Sequence, residues 1–154
     1  MTSIFIARVE TVNSELVQAF ERLIPQLTHA PIPSIHDLQK LLDSPSILVL
    51  ARMPDREGPI VGAGTLGVFR TPSGVHAHIE DVIVDADKRG QGVGQAVVLY
   101  LMQIAREMKL NGVSLTCNPR RATANRLYQK IGFKKWETNV YWYEFDKDPI
   151  QGSD

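Results

Sequence analysis

The sequence predicts an α/β fold of the α+β type, a single domain over residues 1–154 in which a mixed, mostly antiparallel sheet is flanked by about four helices. Three observations carry this. The first half holds β-type segments joined by short turn-rich connections, the pattern of an antiparallel meander. The second half changes to long helical periodicity around a short apolar segment, and the order strand, helix, strand implies one parallel crossover. The 154 residues amount to about one domain, and no linker, repeat or low-complexity tract divides them.

Residues 2–9 read as a strand, because Ile4, Ile6 and Val9 sit among β-formers and a polar cluster at 11–14 follows. The period then changes to that of a helix. Leu16, Ala19, Phe20, Leu23 and Ile24 recur at helical spacing behind the capping candidates Asn13 and Ser14, and Pro25 and Pro31 limit the run. The intervening segment 28–33 carries two prolines, which hold it extended. A second short helix is signalled by Ser34 and Asp37 as a capping-box pair ahead of Ile35, Leu38, Leu41 and Leu42, with Ser44-Pro45 as the stop. Strands are expected over 46–53, 60–70 and 75–84, separated by turn residues at 54–58 and 71–74.

The best-patterned helix follows, with Val93, Ala96, Val97, Tyr100, Leu101, Ile104, Ala105 and Met108 in an unbroken i, i+3, i+4 series ending at Asn111-Gly112. Residues 113–117 form a short buried-type strand, and Asn118-Pro119 offers an N-cap with proline at the first helical position. Ala124, Leu127, Tyr128 and Ile131 continue a helix that stops at Gly132, and 138–145 is the closing strand.

A content of 44% hydrophobic and 22% charged residues is that of an ordinary globular protein and excludes a disordered or fibrous one. The 17 basic and 17 acidic residues cancel, so the whole-chain balance argues against nucleic-acid and membrane-surface partners. The local balance differs: between Lys88 and Lys135 there are ten basic residues and one acid, Glu107, which raises the question of what anion this segment meets. Cys117, the single cysteine, has no partner for an intramolecular disulfide, and the N-terminus lacks the basic start and apolar run of a signal peptide. No apolar stretch approaches the ~20 residues that span a bilayer, so a soluble cytoplasmic protein is expected.

Gly62-Ala63-Gly64-Thr65-Leu66-Gly67 matches a dinucleotide-binding pattern, but no helix follows it, and a Gly-rich strand is the better reading. No phosphate loop of the nucleotide triphosphatase type occurs. His76 and His78 share a strand face without a third ligand at a sensible spacing, so no metal is expected. The informative segment is Arg89-Gly90-Gln91-Gly92-Val93-Gly94, after the apolar run Val82-Ile83-Val84 and opening the best helix. Glycines remove side chains from the approach, so consecutive backbone N–H groups at a helix N-terminus can point at an anion such as a diphosphate. A flexible turn into a helix is the bland alternative for the loop taken alone.

In combination, the strand 75–84, Arg89-x-x-Gly92-x-Gly94, a helix, a short strand and a helix ending Leu127-Tyr128-Gln129-Lys130-Ile131-Gly132-Phe133 resemble the GNAT superfamily of acetyl-CoA-dependent N-acetyltransferases. The signature region covers about residues 76–133, and the helix-helix-meander order before it agrees. The resemblance implies the single-domain acyl-CoA N-acyltransferase fold, acetyl-CoA as the acetyl donor, an amine acceptor and a homodimer. It implies that Arg89, Gly90, Gln91, Gly92, Val93 and Gly94 bind the pyrophosphate of coenzyme A and that the backbone of Val82, Ile83 and Val84 runs beside the pantetheine arm. Many members carry asparagine at the position of Arg121, whereas this chain has Asn125 closer to the tyrosine, which makes Asn125 its candidate contact to the cofactor arm. His78-Ile79-Glu80-Asp81-Val82 is similar to the corresponding strand of glucosamine-6-phosphate N-acetyltransferases; outside it the likeness fades, and no sugar acceptor is assigned.

Acetyl transfer to an amine has three needs. An alkylammonium of pKa about 10.4 must lose a proton, the thioester oxygen gains charge in the tetrahedral intermediate, and the thiolate must depart. Glu80 is the candidate base, directly or through a water, against the alternative of a solvated charge on a strand face. Asp81 points to the opposite face by alternation unless a bulge intervenes, and reads as a structural hydrogen-bonding partner. The resemblance places a tyrosine near the sulfur, which makes Tyr128 the candidate acid, against the alternative of a core aromatic. Cys117 reads as a small buried core residue rather than a nucleophile. Trp136, Tyr141, Trp142 and Tyr143 are candidates for the border of the acceptor pocket. The competing reading is a non-catalytic acyl-CoA-binding module of the same fold, which needs neither Glu80 nor Tyr128.

Overall fold

The computed structural model describes residues 2–145. Four strands, β1 (Phe5–Arg8), β2 (Ile47–Arg52), β3 (Ile60–Thr71) and β4 (Gly74–Val84), form one antiparallel sheet in the order β1-β2-β3-β4. Helices α1 (Ser14–Leu23) and α2 (Ile35–Asp43) connect β1 to β2, and α3 (Val93–Glu107) and α4 (Ala122–Ile131) follow β4. The expected parallel crossover is present in reduced form: residues 113–117 meet β4 through a single parallel bridge between His78 and Ser114.

Local chemistry sets the helix ends. Asn13 Oδ1 accepts from the Leu16 N–H at 2.9 Å to start α1, and Ser34 with Asp37 completes a reciprocal capping box at α2. Helix α4 ends on Gly132, whose φ of 119° suits glycine. Its start differs from expectation. Asn118 stands upstream of the helix and builds the approaching turn, its Oδ1 accepting from Arg120 N at 2.9 Å, while Arg121 occupies the N-cap position.

Alternation in β2 feeds two cores. Ile47, Val49 and Ala51 pack with Val93, Val97, Val98, Leu101 and Ala105 of α3 on one face. Leu48, with Ile60, Ala63 and Ile83 from the neighbouring strands, packs with Leu16, Ala19, Phe20 and Leu23 of α1 and Leu38 of α2 on the other. The sheet is therefore covered on both faces. Gly62 and Gly64 lie within β3, as expected of a Gly-rich strand. They let α3 sit close: a Cβ on Gly62 would fall 3.0 Å from Val93 Cγ1, and one on Gly64 would fall 2.5 Å from Val97 Cγ1.

Two expectations are corrected. Residues 138–145 form no strand; Val140, Tyr141, Trp142, Tyr143 and Phe145 are exposed. A strand needs a ladder partner, and residues 138–145 have none among the described residues. Cys117 is half-buried rather than in the core, its Sγ 3.7 Å from the Asn118 carbonyl. No helix among the described residues is long and apolar enough to cross a membrane.

Candidate active site

The site begins with an irregularity in β4. Thr65 pairs with Glu80 and Ala63 with Ile83, so Asp81 and Val82 together oppose Gly64 in a β-bulge. Asp81 takes the left-handed region at φ 49°, which aspartate tolerates better than most residues. The bulge intervenes in the alternation at this point, and Glu80 and Asp81 are both exposed. On the side away from β3, Ile79 N donates to Ser114 O at 2.8 Å and Ser114 N to Ala77 O at 3.2 Å. Beyond this point β4 is the last strand of the sheet, so from Glu80 to Val84 its outer edge has no ladder partner among the described residues. An unpaired edge of this kind can hydrogen-bond an extended amide-bearing chain.

The loop after β4 is tightly built. Asp85 N donates to Val61 O at 2.8 Å, and Lys88 N to Asp85 O at 2.8 Å closes the 3-10 turn Ala86–Lys88. Arg89 Nε donates to the Val84 carbonyl at 3.2 Å, and the Gln91 amide to the Asp87 carbonyl at 3.3 Å. Gly90 and Gly92 have φ of 76° and 87°, where a side chain would strain the backbone. Helix α3 then opens with Gly92 at its N-cap and no side-chain cap. The first helical bond runs from Ala96 N to Gly92 O at 3.0 Å, which leaves the N–H groups of Val93, Gly94 and Gln95 without intrahelical acceptors.

These N–H groups and the helix dipole suit a diphosphate. A Cβ on Gly90 would meet nothing within 4 Å, so the space before the loop is open. A Cβ on Gly94 would touch Val84 Cγ2 at 3.5 Å and Leu127 Cδ2 at 3.6 Å, where the helix start approaches β4 and α4. The loop and the open edge of β4 therefore offer the kinds of donor that a diphosphate and an extended amide-bearing arm, such as those of coenzyme A, require. The side chains of Val93 and Ile83, 1% and 2% exposed, belong to the core, so these two residues can offer only backbone groups.

Tyr128 is half-buried on α4 and packs edge-on against Phe133, with ring centroids 5.9 Å apart. Burial pushes its phenol up; the neighbouring Cys117 thiol adds to this and the Arg121 guanidinium opposes it. The phenol is consequently protonated at neutral pH and can donate. The Asn125 amide donates at 2.9 Å to both the Asn118 and Arg121 carbonyls, so part of its work is bracing the turn before α4. His76 and His78 stack on Phe69 with centroids 5.3 Å apart, and their ring nitrogens engage Thr71, Ser73 and Ser114.

Sequence reasoning missed the cluster at the root of the loop. Arg22 Nε donates to Asp85 Oδ2 at 2.8 Å and Gln26 Nε2 to Asp85 Oδ1 at 3.2 Å. These partners are about sixty residues apart in sequence, and no local motif could have signalled them. Two surface clefts, of about 180 and 390 Å³, lie at the β1 edge around Phe5, Ala7 and Arg52, away from β4.

Residues 10–133 match the model of the Acetyltransferase (GNAT) family. The chain is 35% identical to a protein of Oryza sativa subsp. japonica named "Probable glucosamine 6-phosphate N-acetyltransferase 2", over 85% of this chain and 82% of that one. It is 28% identical to the glucosamine 6-phosphate N-acetyltransferase of Trypanosoma brucei brucei, over 91% and 97% of the two chains. The fold also superposes on an aminoglycoside N-acetyltransferase crystallised in complex with CoA, with a TM-score of 0.76, 15% identity and coverage of 92% and 95%. By its family match and its relatives, the chain belongs to the acetyltransferase (GNAT) family and is an N-acetyltransferase that moves an acetyl group from acetyl-CoA to an amine.

Proposed function

We propose that this N-acetyltransferase acts on the amine of a small amino sugar, with glucosamine 6-phosphate the first acceptor to test, by direct transfer in a ternary complex. The observation that carries the acceptor class is that two relatives named for this sugar phosphate align with the chain over most of both lengths. The strand sequence His78-Ile79-Glu80-Asp81-Val82, similar to that of such enzymes, supports it. The basic segment from Lys88 to Lys135 supplies cations beyond those a diphosphate needs, which suits a second, phosphorylated substrate.

In this reading acetyl-CoA is the donor, its phosphates held by the backbone of Gly90 to Gly94 with Arg89 and Gln91, and its arm along Val82, Ile83 and Val84 with Asn125 nearby. Glu80 takes a proton from the acceptor ammonium, directly or through a water, and the freed amine attacks the thioester carbon to form a tetrahedral intermediate whose nitrogen releases its second proton to solvent as it collapses. A backbone N–H at the bulge near Val82 donates to the thioester oxygen as charge develops on it. The carbon–sulfur bond then breaks, and Tyr128 protonates the departing thiolate. Asp81 holds the bulge that gives the edge this shape. A cytoplasmic location and a homodimer belong to the same proposal.

The test is release of free thiol from acetyl-CoA in the presence of glucosamine 6-phosphate, an aminoglycoside, free amino acids and a peptide amine. Turnover on glucosamine 6-phosphate at least about tenfold above that on the other amines is the expected result. Preference for an amino acid or peptide would overturn the acceptor class, and binding of coenzyme A without turnover on any amine would point to a binding module.

A further inference from the structure

The loop that opens α3 is anchored by the other half of the molecule. Asp85, the residue at which β4 passes into the loop, receives the Arg22 guanidinium on one carboxylate oxygen at 2.8 Å and the Gln26 amide on the other at 3.2 Å. Gln26 also accepts from the Ala86 N–H at 2.8 Å, so one side chain grips both residues of the junction. Arg22 Nη2 donates in turn to the Ile60 carbonyl at 2.6 Å at the start of β3. Burial pushes the Asp85 carboxyl up, but the hydrogen bonds from Gln26 and Arg22 outweigh it and leave the group below its ordinary value, so the carboxylate is charged at neutral pH.

Position gives this cluster its meaning. Asp85 and Ala86 are the root of the diphosphate loop, and Gln26 closes the 3-10 turn Ile24–Gln26, which leads directly into the connection between α1 and α2. Two side chains therefore tie the end of α1 and the turn after it to the residues at which the glycine loop begins. An anion cradle made of backbone N–H groups works only if their directions are fixed beforehand, because reorienting them on binding would consume the interaction. Neither side chain reaches into the loop itself; both act on the junction before it.

We infer that Arg22 and Gln26 are positioning residues for coenzyme A, acting through Asp85 to fix the diphosphate loop. The inference rests on the assignment of that loop to the phosphates. It requires that the effect be confined to the part of the donor that carries the diphosphate, whereas a general loss of stability would affect every donor alike.

The experiment compares the whole chain with its Gln26→Ala and Asp85→Asn variants, using two donors, acetyl-CoA and S-acetylpantetheine, which lacks the diphosphate and the nucleotide. Coenzyme A affinity is measured by calorimetry alongside turnover. Both variants are expected to bind coenzyme A about tenfold more weakly and to raise KM for acetyl-CoA by a similar factor, with kcat retained. Their kinetics with S-acetylpantetheine are expected to match the parent chain. Gln26→Ala removes one half-buried side chain outside both hydrophobic cores and keeps the test valid if Asp85→Asn does not fold. Unchanged coenzyme A affinity in a folded Gln26→Ala variant would overturn the positioning role, as would equal losses with both donors. Failure of the parent chain to prefer acetyl-CoA over S-acetylpantetheine would instead overturn the loop assignment beneath it.

Discussion

Gly64 of β3 lies so close to Val97 of α3 that a Cβ on the glycine would stand 2.5 Å from the Val97 Cγ1 and 3.1 Å from the Leu101 Cδ1. The Val97 and Leu101 side chains fill the space that a side chain at Gly64 would need, and the same helix carries the proposed diphosphate cradle at its N-terminus. Gly64→Ala is expected to destabilise the protein by about 1–3 kcal/mol through overpacking. Gly67→Ala is the control, since its Cβ would meet only the His78 carbonyl at 3.6 Å. It is expected to be neutral or stabilising by up to about 1 kcal/mol. Urea denaturation of both variants measures the difference.

Stability is expected to fall in acid for identifiable reasons. Two hydrogen bonds from Arg52, at 2.6 and 2.8 Å, hold the Glu15 carboxyl below its ordinary value against a weaker effect of burial. Asp85 is held down in the same sense, its hydrogen bonds outweighing burial. A carboxyl whose folded pKa is depressed stabilises the fold above its unfolded value, about 4, and that contribution is lost as the pH falls through the folded pKa. Unfolding free energy should therefore be steady from neutral to about pH 5 and decline below about pH 4. Removing one charged group, as in Glu15→Gln, should make that decline shallower; denaturation at a series of pH values measures the slope.

At the loop, Gly92→Glu is expected to abolish coenzyme A binding. The residue caps α3 at φ 87°, and the substitution adds a negative charge at the helix N-terminus proposed to hold the diphosphate. Gly92→Ala carries the same backbone strain, about 1–2 kcal/mol, without the charge. It should lower stability and weaken binding moderately. Calorimetry on the two variants separates strain from charge.

Tyr128→Phe is expected to lower kcat by about a hundredfold while coenzyme A affinity is unchanged, since general acid groups contribute about 10²–10⁴ in rate. Because burial raises the phenol above its ordinary value, the acid form is present across the neutral range. Activity that needs it declines only at strongly alkaline pH. Glu80→Gln is expected to remove instead the base that the acceptor amine requires. Steady-state rates across pH for both variants test the assignment, and wild-type rates in Tyr128→Phe would remove the acid role.

Local signals made much of the fold legible. Asn13, Ser34 with Asp37, and Gly132 announce helix ends through chemistry confined to a few residues, and all three act where the spacing put them. The alternation of Ile47, Val49 and Ala51 against Leu48 likewise separates the two core faces. What escaped the sequence depends on partners far away. The bulge at Asp81 and Val82 arises from the register with Ala63 and Thr65, which no reading of β4 alone can give. The strand expected over 138–145 has no ladder partner among the described residues, and the turn before α4 took Asn118 away from the N-cap. Arg22 and Gln26, at the end of α1 and in the turn after it, meet Asp85 only through the packing of that helix on the sheet.

The central claim is that coenzyme A lies across the unpaired edge of β4 and the N-terminus of α3. Backbone amide resonances, followed while coenzyme A is titrated into the labelled protein, test it most directly. The largest shifts are expected at Gly90 to Gln95 and at Val82 to Val84, with little change along β1. Shifts concentrated around Phe5, Ala7 and Arg52, or none at the α3 N-terminus, would contradict it.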